Sequence, residues 1–274
     1  MTASSADRSL DVIYDDLWRV NSVARWATEQ QSLEPRPPSH LFDLVTGIGL
    51  TPVATVLDVG CGQGDHACEL VRRFGARVVA LDPVESNLKS VHERVERNNL
   101  AGRVQVQKGI IEQLPLPDGE FDLVWCRSVI VHLPALLPAF CECWRVLADG
   151  GFMMLQTGFA TPLLEPQEGA LLRRRLGFYK ESMLRPHVEA AFLEAGFTVV
   201  RSEAYGSEFA EFYEEQEKRC ARYLTGIARL QRAEATLVDH FGRASYETAL
   251  GTYYWQVYQM LDKISYHAYL LAKT

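Results

Sequence analysis

Val56-Leu57-Asp58-Val59-Gly60-Cys61-Gly62-Gln63-Gly64 is a short apolar run that ends in three glycines at alternate positions. Such a run reads as a buried strand. The glycines let the backbone turn tightly and let a ligand come close. A helical pattern follows over about 65–74. In an open α/β sheet, the turn at the carboxyl end of the first strand is where cofactors bind.

Working outward, the pattern repeats. Residues 77–82, 104–107, 121–126, 152–156 and 197–200 read as strands two to six. Helical patterns cover about 85–98, 136–147 and 188–195. The second stops at Asp149-Gly150-Gly151, and Gly196 caps the third. Alternation of this kind predicts an α/β fold, a doubly wound, Rossmann-like sheet with helices on both faces. Residues 207–262 carry helical spacing only, and 265–272 return to strand character. The expected organisation is a core over 41–206, a helical lid inserted over 207–262, and a seventh strand within 263–274. Ahead of the core, Leu10, Ile13, Tyr14, Leu17 and Trp18 recur at helical spacing. Glu34-Pro35-Arg36-Pro37-Pro38 breaks that pattern, so 1–40 is expected to be a helical cap.

Composition sets bounds. The chain has 274 residues, 47% hydrophobic and 23% charged, enough to bury a core without metal or disulfide staples. A net charge of −7 argues against a duplex nucleic-acid partner. No apolar stretch is long enough to span a membrane. The first eight residues lack an apolar core, so no signal peptide is expected. The six cysteines form no C-x-x-C pair, which fits reduced thiols, a cytoplasmic location and no metal site. Arg173, Arg174 and Arg175 read as a solvated helix face, with a site for an anionic group as the sharper reading. A monomer and a homodimer both remain open.

The spacing of the glycines bears on the cofactor. A dinucleotide fingerprint, G-x-G-x-x-G, would place its third small residue at Asp65, where a carboxylate repels a pyrophosphate. No Gly-Lys-Ser/Thr follows, so the turn is not a P-loop. Asp58 before the turn and Asp82 at the end of the second strand suit a cationic sulfonium with ribose hydroxyls.

The motifs together resemble those of class I S-adenosylmethionine-dependent methyltransferases of the small-molecule, secondary-metabolite type. Asp58 to Gly64 is similar to their first motif and Ala80-Leu81-Asp82-Pro83 to their second. Residues 112–124 resemble the third, and Arg145-Val146-Leu147-Ala148-Asp149-Gly150-Gly151 the turn before strand five. The resemblance implies a seven-stranded sheet, S-adenosyl-L-methionine as cofactor and S-adenosyl-L-homocysteine as product. It implies that Gly60, Cys61, Gly62 and Gly64 line the methionine and ribose portion. Asp58 then neutralises the amino end and Asp82 holds both ribose hydroxyls, with Pro83 beside it. Ile111 and Glu112 flank the adenine, while Cys126, Arg127 and Ser128 border the methionine tail. Tyr14 closes over the cofactor. Ile110 stands where the family often has an aspartate, and Asp149 where proline is common.

His132, six residues past the fourth strand, is the best general-base candidate, with Tyr254 as a second catalytic candidate. The last 70 residues hold thirteen aromatics, nine of them tyrosines. Each buried hydroxyl wants a partner, so an aromatic or apolar acceptor is expected to use some of them. The expected acceptor-binding set is Tyr14, Trp18, His132, Tyr213, Tyr253, Tyr254, Trp255 and Tyr258. Methylation of oxygen, nitrogen or carbon of a small natural product fits. An RNA or protein methyltransferase and a non-catalytic adenosylmethionine-binding module are the alternatives.

Overall fold

The computed structural model describes residues 36–274. Tyr14, Trp18 and nearly all of the expected cap lie outside them. Helix α1 (His40–Thr46) precedes the sheet. The chain then runs β1 (Thr55–Val59), α2 (Asp65–Phe74), β2 (Arg77–Asp82), α3 (Glu85–Arg97) and β3 (Val104–Lys108). It continues through β4 (Phe121–Arg127), a 3₁₀ turn (Ile130–His132), α4 (Leu136–Val146) and β5 (Leu147–Ala160). Next come α5 (Pro166–Leu176), a 3₁₀ turn (Glu181–Met183), α6 (Arg185–Glu194) and β6 (Phe197–Tyr205). Four helices follow, α7 (Glu208–Glu217), α8 (Arg219–Arg232), α9 (Glu234–Phe241) and α10 (Arg243–Met260), and β7 (Ile264–Lys273) closes the chain.

The strands form one seven-stranded sheet in the order β3-β2-β1-β4-β5-β7-β6. β1 to β5 are mutually parallel, and β7 runs antiparallel between β5 and β6. Successive side chains on a strand face opposite ways, so each strand feeds two cores. On one face Val56, Ala80, Trp125 and Ala268 pack with α1, α2, α5 and α10. On the other, Leu57, Val124, Leu155 and Tyr269 pack with α4 and α6. The fold class is as the sequence predicts, helical insertion before the last strand included. No helix among the described residues is long and apolar enough to cross a membrane.

Three features differ from expectation. α1 and α5 carry no strong sequence signal. β5 is longer than 152–156, because Asp149-Gly150-Gly151 does not end the ladder. Phe121 pairs Leu147 and Leu123 pairs Phe152, so the residues between bulge outward, and Gly150 turns there at φ +74°. Arg175 of the arginine cluster is a tie rather than a solvated group. Its Nε donates to Glu247 at 2.6 Å, which joins α5 to α10, while Arg174 stays exposed.

One cation organises the loop that leads into β4. Arg145 donates to both carboxylate oxygens of Glu142, to the carbonyls of Leu114 and Leu116, and to Asp118. The planar guanidinium can span these five acceptors, and an ammonium cannot. Arg145→Met is expected to lower stability by about 2 kcal/mol, a typical net cost for losing several charged hydrogen bonds at a partly exposed site. Arg145→Lys should recover less than half. Urea unfolding checks both.

Candidate functional site

The carboxyl ends of β1, β2 and β4 converge on a cavity of about 520 Å³. Its wall includes Gly60, Gly62, Asp82, Glu112, Arg127 and His132. The backbone builds it in a definite way. After β1 the chain turns left-handed at Gly60, Gly62 and Gly64, with φ of +67°, +53° and +80°. The Gly60 and Cys61 amides both donate to the Leu81 carbonyl, at 2.7 and 3.0 Å. A Cβ at Gly60 would overlap Val129, while one at Gly62 would enter open space. Gly62 is therefore the point where a ligand can approach the backbone most closely.

Asp82 ends β2 and is only 5% exposed. Its Oδ2 accepts the Gly62 amide at 2.9 Å. Its Oδ1 accepts the Val84 amide at 2.9 Å and Asn87 Nδ2 at 3.1 Å. A carboxylate has about four acceptor sites, so one remains, on Oδ2. Asn87, one turn into α3, was not anticipated. Neither were Val59, Leu81, Val84, Gly109, Val129 and Leu133, which also line the cavity. Ile110, noted in the sequence only as a departure from the family pattern, is there too, 47% exposed at the wall.

Asp58 lies beneath the turn and is 2% exposed. Burial raises its pKa to about 7; the Ala67 amide in the first turn of α2 and the Arg127 charge pull it down, and Asp82 pushes it further up. Its Oδ2 is buried without a hydrogen-bond partner. Asp65, expected to face an incoming phosphate, points elsewhere: it is exposed and paired with Arg94 at 2.5 Å. The acids that a dinucleotide pyrophosphate would meet are instead Asp82 and Glu112 in the wall, with Asp58 beneath the turn.

Cys61, Gly64 and Cys126 sit behind the lining. Cys126 is buried in the core, and burial pushes its thiol well above the ordinary range. Arg127 and Ser128 do line the cavity. Ser128 adopts φ +58°, a strained conformation for a residue with a side chain. Its amide donates to the Gln156 carbonyl at 2.8 Å, which holds it there. Pro83, Ile111 and Glu112 are in the wall as expected.

His132 stands at the rim, exposed but partly enclosed. Its ring meets Phe178 edge-on at 4.9 Å. Partial burial lowers its pKa, and the Gly177 backbone opposes the shift. The segment after α5 is strapped to this turn: the Tyr179 amide donates to Val131, and Ser182 Oγ to Leu133. Phe178 was missed in the sequence because nothing periodic marks it. It begins an aromatic file, His132, Phe178, Trp255, Tyr266, Phe209 and Tyr213, with successive ring centroids 4.9 to 6.2 Å apart.

The other expected acceptor residues are dispersed. Trp255 and Tyr258 are buried beneath α10. Tyr253 packs with Tyr223, against Gly226 of α8, and does not line the cavity. Tyr254 accepts from Gln231 through its hydroxyl, with Arg175 over its ring at 5.7 Å. Several tyrosine hydroxyls find protein partners: Tyr246 on Glu234, Tyr269 on Glu189, and Tyr266 beside Trp255 and Gln259. Much of the aromatic excess is thus explained by packing. Glu214 accepts the Cys220 and Ala221 amides and caps α8.

A β1 glycine turn, an acid at the end of β2 and an antiparallel β7 between β5 and β6 are the arrangement of the class I S-adenosylmethionine-dependent methyltransferase fold. Residues 57–155 match the family described as Methyltransferase domain, whose cofactor is S-adenosylmethionine. Among relatives, the sterol 24-C-methyltransferase ERG6B of Gibberella zeae is 32% identical over 50% of this chain and 36% of its own. The 27-O-demethylrifamycin SV methyltransferase of Amycolatopsis mediterranei is 28% identical over 52% of this chain and 53% of its own. The chain spans about a third to a half of the length of the curated relatives it matches. In fold, it resembles the geranyl diphosphate C-methyltransferase of Streptomyces coelicolor A3(2), with a TM-score of 0.63 at 17% identity, over 86% of this chain and 76% of that one.

Because Asp58 holds its proton more tightly folded than unfolded, its stabilising contribution is complete below the ordinary carboxylate pKa. It is lost as pH rises through about 7. The melting temperature of the ligand-free protein minus that of Asp58→Asn should therefore fall between pH 4 and pH 8. Parallel melting curves across that range would show that the carboxyl is not raised.

Proposed function

We propose that the protein is an enzyme that transfers a methyl group from S-adenosylmethionine to an oxygen, nitrogen or carbon of a small acceptor, aromatic or otherwise apolar, of natural-product type. The observation that carries this reading is the partnerless, buried carboxylate oxygen of Asp58 under the left-handed glycine turn, next to a cavity walled by Asp82. An orphaned buried charge costs free energy unless a ligand completes it.

The residues fit that cofactor. Asp58 suits its ammonium, and Gly62, where a Cβ would enter open space, leaves room against the backbone. Asp82 suits a ribose hydroxyl through the one acceptor site left on Oδ2, which makes it a single contact rather than the pair first expected. Pro83, Ile111 and Glu112 would flank the adenine, and Ser128 would border the reacting end. When bound, the cofactor supplies a methyl group already activated on a sulfonium.

What remains for the chain is positioning, exclusion of water and proton removal. Holding a nucleophile near attack geometry is worth up to ~7–11 kcal/mol in favourable systems. Burial lowers the pKa of His132, which favours the neutral imidazole that can take a proton from a hydroxyl or an acidic carbon. Tyr254 is less suited, because its hydroxyl is engaged by Gln231 away from the cavity. An apolar acceptor would meet the rim of the cavity at His132, with Phe178 packed against that ring and 207–262 as its lid. A sterol and a rifamycin, the compounds in the relatives' names, are consistent with that class.

Calorimetry tests the cofactor first. S-adenosylmethionine and S-adenosylhomocysteine should bind and NADH should not, while Asp82→Ala should weaken binding at least tenfold, about the cost of one good charged hydrogen bond. Binding of NADH alone, or of none of the three, would overturn the reading. With an acceptor in hand, His132→Ala should lower kcat by about 10²–10⁴ and leave the cofactor Kd unchanged, the usual range for a lost general base. An unchanged kcat would remove His132 from the chemistry.

A further inference from the structure

The helical lid carries a charge asymmetry that the cofactor cavity does not use. From Lys218 to Ala233 the chain has five basic residues and no acid, in a protein whose net charge is −7. Arg219 is taken: it pairs with Glu217 and lies over the Tyr213 ring. Arg222 reaches the same glutamate only at 3.5 Å. Lys218 and Arg229 are exposed, and neither has an ion pair among the described residues.

Lys218, Arg222 and Arg229 line a second cavity, of about 730 Å³, between α8, α9 and α10. It shares no residue with the cofactor cavity. The three cations recur at helical spacing, which sets them in a row along one side of α8. The rest of the wall is mostly apolar, with Leu230, Leu237 of α9 and Tyr253 of α10, and it contains no acid. Tyr253, expected from the sequence to meet the acceptor, faces this groove instead. Its ring lies against Gly226, where any Cβ would collide with it, so that part of the wall is fixed.

An apolar wall with a row of cations along one side matches an apolar tail with an anionic head. A bare inorganic anion would leave the apolar wall wet. A neutral apolar compound would desolvate the cations without pairing them. The volume is that of a small-molecule site.

We propose that the groove between α8, α9 and α10 binds a free single-chain amphiphile with a carboxylate head, held by Lys218, Arg222 and Arg229, its tail along Leu230, Leu237 and Tyr253. Such a ligand touches three lid helices at once and stabilises the folded chain by mass action.

The test is calorimetry with laurate below its micelle concentration. Butyrate has the head without the tail, and dodecyltrimethylammonium has the tail with the opposite charge. Laurate should bind at one site and raise the melting temperature. The other two should bind at least about tenfold more weakly, the worth of one good charged contact. Arg229→Glu should lose at least about tenfold in laurate affinity. Arg222→Glu should do the same, and it carries the test if Arg229→Glu fails to fold. Arg97→Glu, the same charge change at an exposed position of α3, should leave the affinity unchanged. A wild-type protein that binds no laurate would overturn the proposal. So would equal affinity for dodecyltrimethylammonium, or equal effects of Arg229→Glu and Arg97→Glu. Binding to phosphatidylglycerol vesicles without binding to laurate would overturn it in favour of a membrane surface. Each of these outcomes leaves the cofactor reading intact.

Discussion

The bond from the Gly62 amide to Asp82 Oδ2, 2.9 Å long, joins the turn after β1 to the end of β2. Around it the two strand ends are fastened twice more, by the Gly60 and Cys61 amides on the Leu81 carbonyl. This geometry requires positive φ at three positions, which glycine adopts at little cost and other residues resist. With the turn in place, α2 starts at Asp65, its first amides face Asp58, and the cavity opens beside Gly62. If the turn relaxed, Asp58 would be reached by water and the cavity would lose its floor.

Polar groups at this end of the sheet are arranged with unequal completeness. Asp82 has three protein donors and is nearly satisfied. Asp58, Arg127 and Gln156 are each left with a buried atom unpaired. Ser128, strained at φ +58°, lies at the junction, held by Gln156 on one side and exposed to the cavity on the other.

The acceptor side depends on contacts between distant segments. Phe178 reaches His132 only because the Tyr179 amide and Ser182 hydroxyl fasten the loop after α5 to the turn after β4. The edge of the Trp255 ring comes close to the backbone at Gly158, where any side chain would collide with it. α10 approaches α5 and α8 closely at Gly251 and Gly226. These contacts turn a set of aromatic residues into an ordered file.

The sheet was legible in the sequence because each strand is a short apolar run closed by a glycine, an acid or a polar turn, and the alternation with helices leaves few topologies. The glycine turn and the places of Asp58 before it and Asp82 at the end of β2 were legible because each lies at the close of a short apolar run. β5 was underestimated, because a bulge at Gly150 keeps the ladder going where composition suggests a stop. The direction in which Asp65 points, the partners of the tyrosine hydroxyls and the part played by Phe178 could not be read from the chain. Each depends on which remote segment packs alongside, such as Arg94 for Asp65 and Gln231 for Tyr254. The sequence by itself determined the fold and the cofactor end of the cavity, through local backbone preferences and hydrophobic period. Only the tertiary structure decided which polar atoms remain unpaired, since that is a property of the whole packing around them.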